Sequence, residues 1–366
     1  MEPFTLIQFI AGLLVLIAGA EVFVRSASNL ASALGVPSLV IGLTVVAFGT
    51  GSPELAVVLQ AAFEGQADIA IGNIVGSNIF NILLILGLSA MLAPLVVASQ
   101  LVRLDVPIMI GTSVLLLLMA LNHQLGRLEG AVLLACGAGY LVLLFSQTRT
   151  TTPNDPARES RRPRETSTLR RWVLPVAALV IGLAFLVIGA RWLVRSGVDI
   201  ATAFGVSELV IGLTVIAIGT SLPEAATSIV AGIRGERDIA VGNVVGSNIF
   251  NILMVLGLGA LLSPQPLPVA PAALHFDIPV MVVVAVACLP IFIVGYGISR
   301  WEGLLFFGYW IAYTLYVVLN AAGHDALPAF SRVMSVFVIP LTLLTLAVVL
   351  FRSFQRDRAR HRKPGT

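Results

Sequence analysis

Residues 42–88 align with residues 212–258 without a gap, at an offset of 170, and 29 of the 47 positions are identical. Gly-Leu-Thr-Val opens both copies, and Val75-Gly76-Ser77-Asn78-Ile79-Phe80-Asn81-Ile82-Leu83 returns as Val245 through Leu253. The flanks match more weakly: Gly19-Ala20 with Gly189-Ala190, Arg25-Ser26 with Arg195-Ser196, Asp105-Val106-Pro107 with Asp277-Ile278-Pro279, and Glu129-Gly130 with Glu302-Gly303. One substructure is therefore built twice, and any fold must accommodate both copies.

The solvent for that substructure is lipid. Of 366 residues, 58% are hydrophobic and 11% charged, with mean hydropathy +0.98; soluble domains carry roughly a quarter charged residues. This excludes a cytosolic enzyme, a disordered chain and a nucleic-acid binder. Apolar runs long enough to cross about 30 Å of hydrocarbon recur throughout. They predict eleven spans: 4–24, 36–63, 69–93, 104–121, 128–146, 172–194, 206–233, 239–262, 276–296, 302–320 and 328–351. The first reads as a retained span rather than a signal peptide, because no Lys or Arg precedes it and it has a counterpart inside the chain. Cys136 and Cys288 sit in apolar runs and imply neither disulfide nor thiolate site. The four histidines are scattered singly.

Residues 147–171 form the longest polar stretch, rich in Arg and Pro, and the tail beyond 351 is also basic. Placing both in the cytoplasm leaves only Arg127, Arg191, Arg195 and Arg332 of the 22 basic residues outside, and puts the N-terminus outside. Spans 1–5 repeat as spans 6–10. Five is odd, so the second copy enters the membrane from the opposite side. The expected architecture is an all-α polytopic membrane protein: two inverted five-helix repeats (1–146 and 172–320), a basic cytoplasmic loop (147–171), and an extra C-terminal transmembrane helix with a basic tail (321–366). Inverted repeats characterise secondary transporters, with the substrate site near the midplane.

Each repeat places one carboxylate at that depth, Glu54 in Gly49-Thr50-Gly51-Ser52-Pro53-Glu54 and Glu224 in Gly219-Thr220-Ser221-Leu222-Pro223-Glu224. A charge at the bilayer centre costs roughly 2.5–3.5 kcal/mol on insertion scales, and neither span holds a basic partner. Pro53 and Pro223 interrupt the helices and free carbonyl oxygens. Ala47, Thr50 and Glu54 share a helical face, as do Ala217, Thr220 and Glu224. Asn73, Ser77 and Asn81 form a second stripe, mirrored by Asn243, Ser247 and Asn251. Carboxylate, hydroxyl, amide and carbonyl oxygens without sulfur or imidazole suit a hard cation, calcium or sodium. Blander roles are expected elsewhere: close packing at Gly72, Gly76, Gly242 and Gly246, helix capping at Asp68 and Asp238, capping or turns at Asp105 and Asp277, and an i,i+4 ion pair between Glu21 and Arg25.

Gly-Thr-x-x-Pro-Glu and Gly-Asn-x-x-Gly-Ser-Asn-x-x-Asn, each present twice, resemble the motifs of the cation/calcium antiporter superfamily, most closely its prokaryotic sodium/calcium exchanger branch. The resemblance implies four ion sites shared by calcium and sodium, with Glu54 and Glu224 as the shared carboxylates that hold the metal ion. It implies Thr50, Thr220, Ser221, Ser77 and Ser247 as hydroxyl or carbonyl ligands, Ala47 and Ala217 as carbonyl ligands, and Asn81 and Asn251 flanking the centre. It also implies alternation of access by sliding of spans 1 and 6. Gly51 departs from the pattern by removing a hydroxyl that Ser52 could replace, and Asn251 stands where some relatives have Asp. The expected function is calcium/sodium antiport across the cytoplasmic membrane, with no catalytic residues, no cofactor beyond the transported ions and no nucleic-acid partner. Calcium/proton exchange and a cation channel are the alternatives; a gradient-dependent flux separates them. An intramembrane enzyme lacks a nucleophile–base pair at midplane depth.

Overall fold

The computed structural model describes residues 3–150, 173–205, 217–343 and 347. The chain runs through α1 (Pro3–Leu34), α2 (Ser38–Thr50), α3 (Ser52–Phe63), α4 (Ala67–Leu92), α5 (Leu101–Ala120) and α6 (Arg127–Thr150). The second copy follows with α7 (Leu174–Ala203), α8 (Ala217–Gly219), α9 (Leu222–Ile233), α10 (Arg237–Leu262), α11 (Ala273–Ile293) and α12 (Arg300–Ala321), and α13 (Leu327–Leu343) comes last. Among the described residues eight helices are long and apolar enough to cross a membrane, and a ninth is α2 with α3, bent by 47°. The expected spans 206–233 and 328–351 run partly outside the described residues. So do most of the basic loop at 147–171 and the tail.

The bend is local chemistry. Pro53 sits in the first turn of α3, where its missing N–H costs nothing, while Gly51 breaks the helix ahead of it. Pro223 opens α9 in the same way. α1 and α7 extend well past the expected ends at 24 and 194. The polar end of α1 stays helical because it meets partners: Glu21 pairs with Arg25 at 3.0 Å and with Arg234, and Ser28 Oγ donates to Glu236 Oε1 at 3.0 Å. α6 likewise runs to Thr150, past the expected boundary at 146.

Centrality follows composition. The Asn- and Gly-rich α4 and α10 are the most enclosed helices, with 72% and 83% of their apolar windows buried, against 6% for α12. They meet at a reciprocal amide clasp on the pseudo-two-fold. Asn78 Nδ2 donates to the Asn248 carbonyl and Asn248 Nδ2 to the Asn78 carbonyl, both at 3.2 Å. Asn81 Nδ2 donates to Asn248 Oδ1 and Asn251 Nδ2 to Asn78 Oδ1, both at 3.0 Å. Each helix then opens a wide π turn, at Asn81–Leu86 and Asn251–Leu256.

The outer elements repeat the symmetry. Tyr140 donates to Asp105 and Tyr313 to Asp277, each at 3.0 Å, so these aspartates brace α5 to α6 and α11 to α12 rather than cap helices. Asp68 and Asp238 are not caps either; they lie in the first turns of α4 and α10, one residue inside. Strand β1 (Leu95–Val96) pairs antiparallel with β4 (Gly297–Ile298), and β2 (Gln124–Leu125) with β3 (Leu267–Pro268). Arg127 also reaches the Ser263 carbonyl at 3.4 Å. Every one of these loop pairs joins segments that the charge count puts on the same side of the membrane, so the inverted threading and the three-dimensional pairing agree.

α1 and α7 cross antiparallel through small residues. A Cβ at Gly19 would meet Leu186 N at 2.7 Å, one at Gly182 would meet Phe23 N at 2.7 Å, and one at Gly189 would meet Leu16 N at 2.5 Å. Small residues permit this backbone approach where lipid supplies no hydrophobic drive between helices. Gly242 and Gly246 do the same against Leu39 and Leu43 of α2, as expected for packing glycines, whereas Gly72 and Gly76, expected to pack likewise, face open space. Gly189→Leu must therefore force α1 and α7 apart, at a cost of about 1–3 kcal/mol or more. Thermal unfolding in detergent should show a clear loss of midpoint for Gly189→Leu and little change for Gly139→Leu, whose Cβ faces open space.

Candidate cation site

The two helix breaks and the amide clasp converge at the centre. Glu54 and Glu224 are each 1% exposed and each occupies the first turn of its half-helix, α3 or α9. A helix N-terminus carries a partial positive charge that offsets part of a carboxylate's cost there. No basic side chain pairs with either in the described residues, and the two are close enough to feel each other's charge. Their Oε2 atoms are buried without a hydrogen-bond partner.

Around them the sequence-predicted residues come together. Ser221 has one proton and gives it to Glu54 Oε1 at 2.9 Å, while its oxygen lies 3.0 Å from Ser77 Oγ. Thr50 Oγ1 lies 3.1 Å from the Val46 carbonyl and 3.2 Å from Asn243 Oδ1. Its counterpart Thr220 accepts from Asn73 Nδ2 at 3.2 Å. Asn243 Nδ2 is turned to Ser228 Oγ at 2.9 Å. The Ala47 carbonyl accepts the Gly51 N–H at 3.0 Å, which leaves it one lone pair. Ala217 is the first described residue of its segment, and its side chain lies outside the described set.

Amide orientation follows from this network. The clasp engages one N–H of Asn81 and one of Asn251, which turns their oxygens away from the clasp. Asn81 Oδ1 is buried and unpartnered, and so is Ser247 Oγ. Asn251 Oδ1 and Glu224 Oε1 lie 3.8 and 3.7 Å from the point where a Cβ on Gly51 would stand. Four buried oxygens of the predicted site residues, Glu54 Oε2, Glu224 Oε2, Asn81 Oδ1 and Ser247 Oγ, thus have no hydrogen-bond partner. Buried polar atoms are normally satisfied, and carboxylate, amide and hydroxyl oxygens are the ligand types of hard cations. Among the described residues no three His, Cys, Asp or Glu side chains cluster, so the formal negative charge comes from the glutamate pair alone.

One substitution breaks the symmetry. Ser221 serves Glu54, but Gly51, its counterpart, offers Glu224 nothing. Ser52 does not compensate: its Oγ donates to the Gly49 carbonyl at 2.8 Å, the carbonyl released by Pro53. Ser247 loses its partner in consequence, whereas Ser77 keeps Ser221. A cleft of about 30 Å³ opens at this point, lined by Ala47, Phe48, Gly51, Ser52 and Asn251 among others. Sequence reasoning missed Asn78 and Asn248 as the fastener between the copies. Their signal was a buried amide repeated at an offset of 170 beside a predicted ligand.

The sodium/calcium exchanger protein family profile matches residues 4–146 and 174–319. The sodium/calcium exchanger MaX1 of Methanosarcina acetivorans is 34% identical over 337 residues, 82% of this chain and 95% of that one. The inner membrane protein YrbG of Escherichia coli is 41% identical over 287 residues, 76% of this chain and 85% of that one. The solved sodium-calcium exchanger NCX_Mj superposes with a TM-score of 0.72 at 30% identity, covering 85% of this chain and 97% of that one. A multi-pass helical chain with a doubled motif, two buried carboxylates and these relatives is a membrane transporter and not an enzyme; it belongs to the sodium/calcium exchanger family.

Proposed function

We propose that this chain is an antiporter that extrudes calcium against an inward flux of sodium, with Glu54 and Glu224 holding either cation in turn. The observation that carries the reading is the pair of buried carboxylates without a basic partner among the described residues, together with the buried, unpartnered oxygens of Asn81 and Ser247. Ser221, Ser77, Ser247, Thr50, Thr220, Asn81, Asn251 and the Ala47 and Ala217 carbonyls complete the shell in different combinations. Two carboxylates balance one calcium. Calcium and sodium need the same two groups, so they exclude one another, and exclusion at a shared site couples the fluxes. Replacement of one calcium by more than two sodium ions moves net charge. The relatives support the ion choice: MaX1 and NCX_Mj carry the name sodium/calcium exchanger.

The Arg distribution supports an N-terminus outside, with the 147–171 loop and the tail cytoplasmic. The E. coli relative, an inner membrane protein, supports placement in the cytoplasmic membrane. The division into repeats 1–146 and 172–320, the linking loop and the 321–366 extension accords with the mirrored braces and strand pairs.

Sodium-loaded proteoliposomes diluted into sodium-free buffer should take up radiocalcium, and Glu54→Gln and Glu224→Gln should each reduce uptake to that of protein-free vesicles. Uptake that follows a proton gradient instead would replace sodium by protons as the coupling ion; uptake indifferent to both gradients would overturn antiport. Gly51→Ser restores the hydroxyl beside Glu224. Added ligation worth about 0.5–1.5 kcal/mol lowers the half-saturating calcium concentration by about two- to tenfold. An unchanged value would show that the ion does not touch the Gly51 face.

A further inference from the structure

A pseudo-two-fold is informative wherever the two copies are arranged unequally, because the opposite arrangement must be open to the same chain. α1 packs along α9, and α7 touches α9 as well, but α7 makes no comparable packing on α3 among the described residues. Joined at Gly12, Gly19, Gly182 and Gly189, α1 and α7 form one unit. That unit covers the α9 side of the site, and the cleft beside Gly51 lies on the uncovered α3 side.

An ion pair pins the unit where it is. Glu21 of α1 binds Arg234, the residue that follows α9, and keeps Arg25 of its own helix at 3.0 Å. Moving this pair by the repeat offset turns Glu21 into Arg191 and Arg234 into Glu64. The charges exchange, yet the pair stays complementary. Arg191 lies on α7, and Glu64 follows α3. Among the described residues neither has an ion-pair partner here: both are exposed, and Glu64 accepts the Gln60 amide at 2.9 Å instead.

We propose that Glu21–Arg234 and Arg191–Glu64 are alternating latches of the transport cycle, each closing one side of the cation site. In the present state the first is shut. When the α1–α7 unit shifts to cover α3, the first opens and the second shuts. Glu21 then retains Arg25, so no carboxylate is stranded. The Ser28–Glu236 bond has no mirror, since Val198 and Gln66 occupy those positions, so the α9 side carries the stronger latch. The inference rests on the antiport reading proposed above, in which the site opens to each side in turn.

The test uses the full chain in proteoliposomes with Cys136 replaced by Ser; Cys288 is buried. Glu21→Cys with Arg234→Cys, and separately Arg191→Cys with Glu64→Cys, are treated with a short bis-methanethiosulfonate. Crosslinks are mapped by mass spectrometry and reversed with dithiothreitol. Both pairs should crosslink, each crosslink should stop exchange reversibly, and in the four-cysteine chain one crosslink should preclude the other. Capture of the first pair but never the second, in a chain that still exchanges cations, overturns the proposal. If a cysteine pair impairs folding, Arg191→Gln and Glu64→Gln take its place. Each should slow exchange about two- to fivefold, the range of a solvent-exposed ion pair, and the double variant no further; additive losses overturn the proposal. Wild-type uptake run alongside reports on the ion reading separately: exclusive crosslinks without sodium-driven calcium uptake would keep the latches and discard the substrate.

Discussion

Two carboxylates held at the middle of a membrane protein without a basic partner set the terms for everything around them. Burying one such charge costs several kcal/mol unless something answers it. The chain answers in part with the N-termini of α3 and α9, which point at Glu54 and Glu224 because Gly51, Pro53 and Pro223 end one helix and start another there. The rest is unanswered among the described residues, and a carboxylate pair left so at that depth is what makes this a candidate cation site.

The amide clasp determines which way the flanking amides face. An asparagine presents a donor and an acceptor on one flat group, so its contribution to a cation site depends on where its N–H groups go. Asn78 and Asn248 accept those of Asn251 and Asn81, and the oxygens are thereby turned out of the clasp. A fastener between the repeats is thus also the element that gives the site its polarity, and the two tasks cannot be separated by substitution at Asn78 or Asn248.

Symmetry accounts for the frame, and its breaches account for the particulars. Ser221 against Gly51 leaves Glu54 with a serine hydroxyl and Glu224 without the matching one. Glu21–Arg234 against Arg191–Glu64 leaves one side of the site covered and the other uncovered. The first breach is a difference between the residues of the two copies. The second is a difference in where two identical kinds of element lie, and the same chain can reverse it.

Much of this was legible in the residues. The repeat, its odd span count and the Arg distribution determined an inverted helical architecture, because a helix must satisfy its own backbone in lipid and an odd count reverses direction. The doubled Pro-Glu and Gly-Ser-Asn motifs pointed to a candidate site, since an intramembrane acid without a base has few structural uses. Local pattern misjudged what depends on partners far away in sequence. Asp105 and Asp277 read as caps, but Tyr140 and Tyr313 make them braces; Ser52 reads as a substitute ligand, but its proton goes to Gly49; and the repeat that marks Asn78 and Asn248 does not say that they pair with each other. The sequence by itself determined which oxygens are available. Only the tertiary structure decided which remain free, because a hydrogen-bonding group's role is settled by the neighbour that reaches it first, and those neighbours come from the other copy.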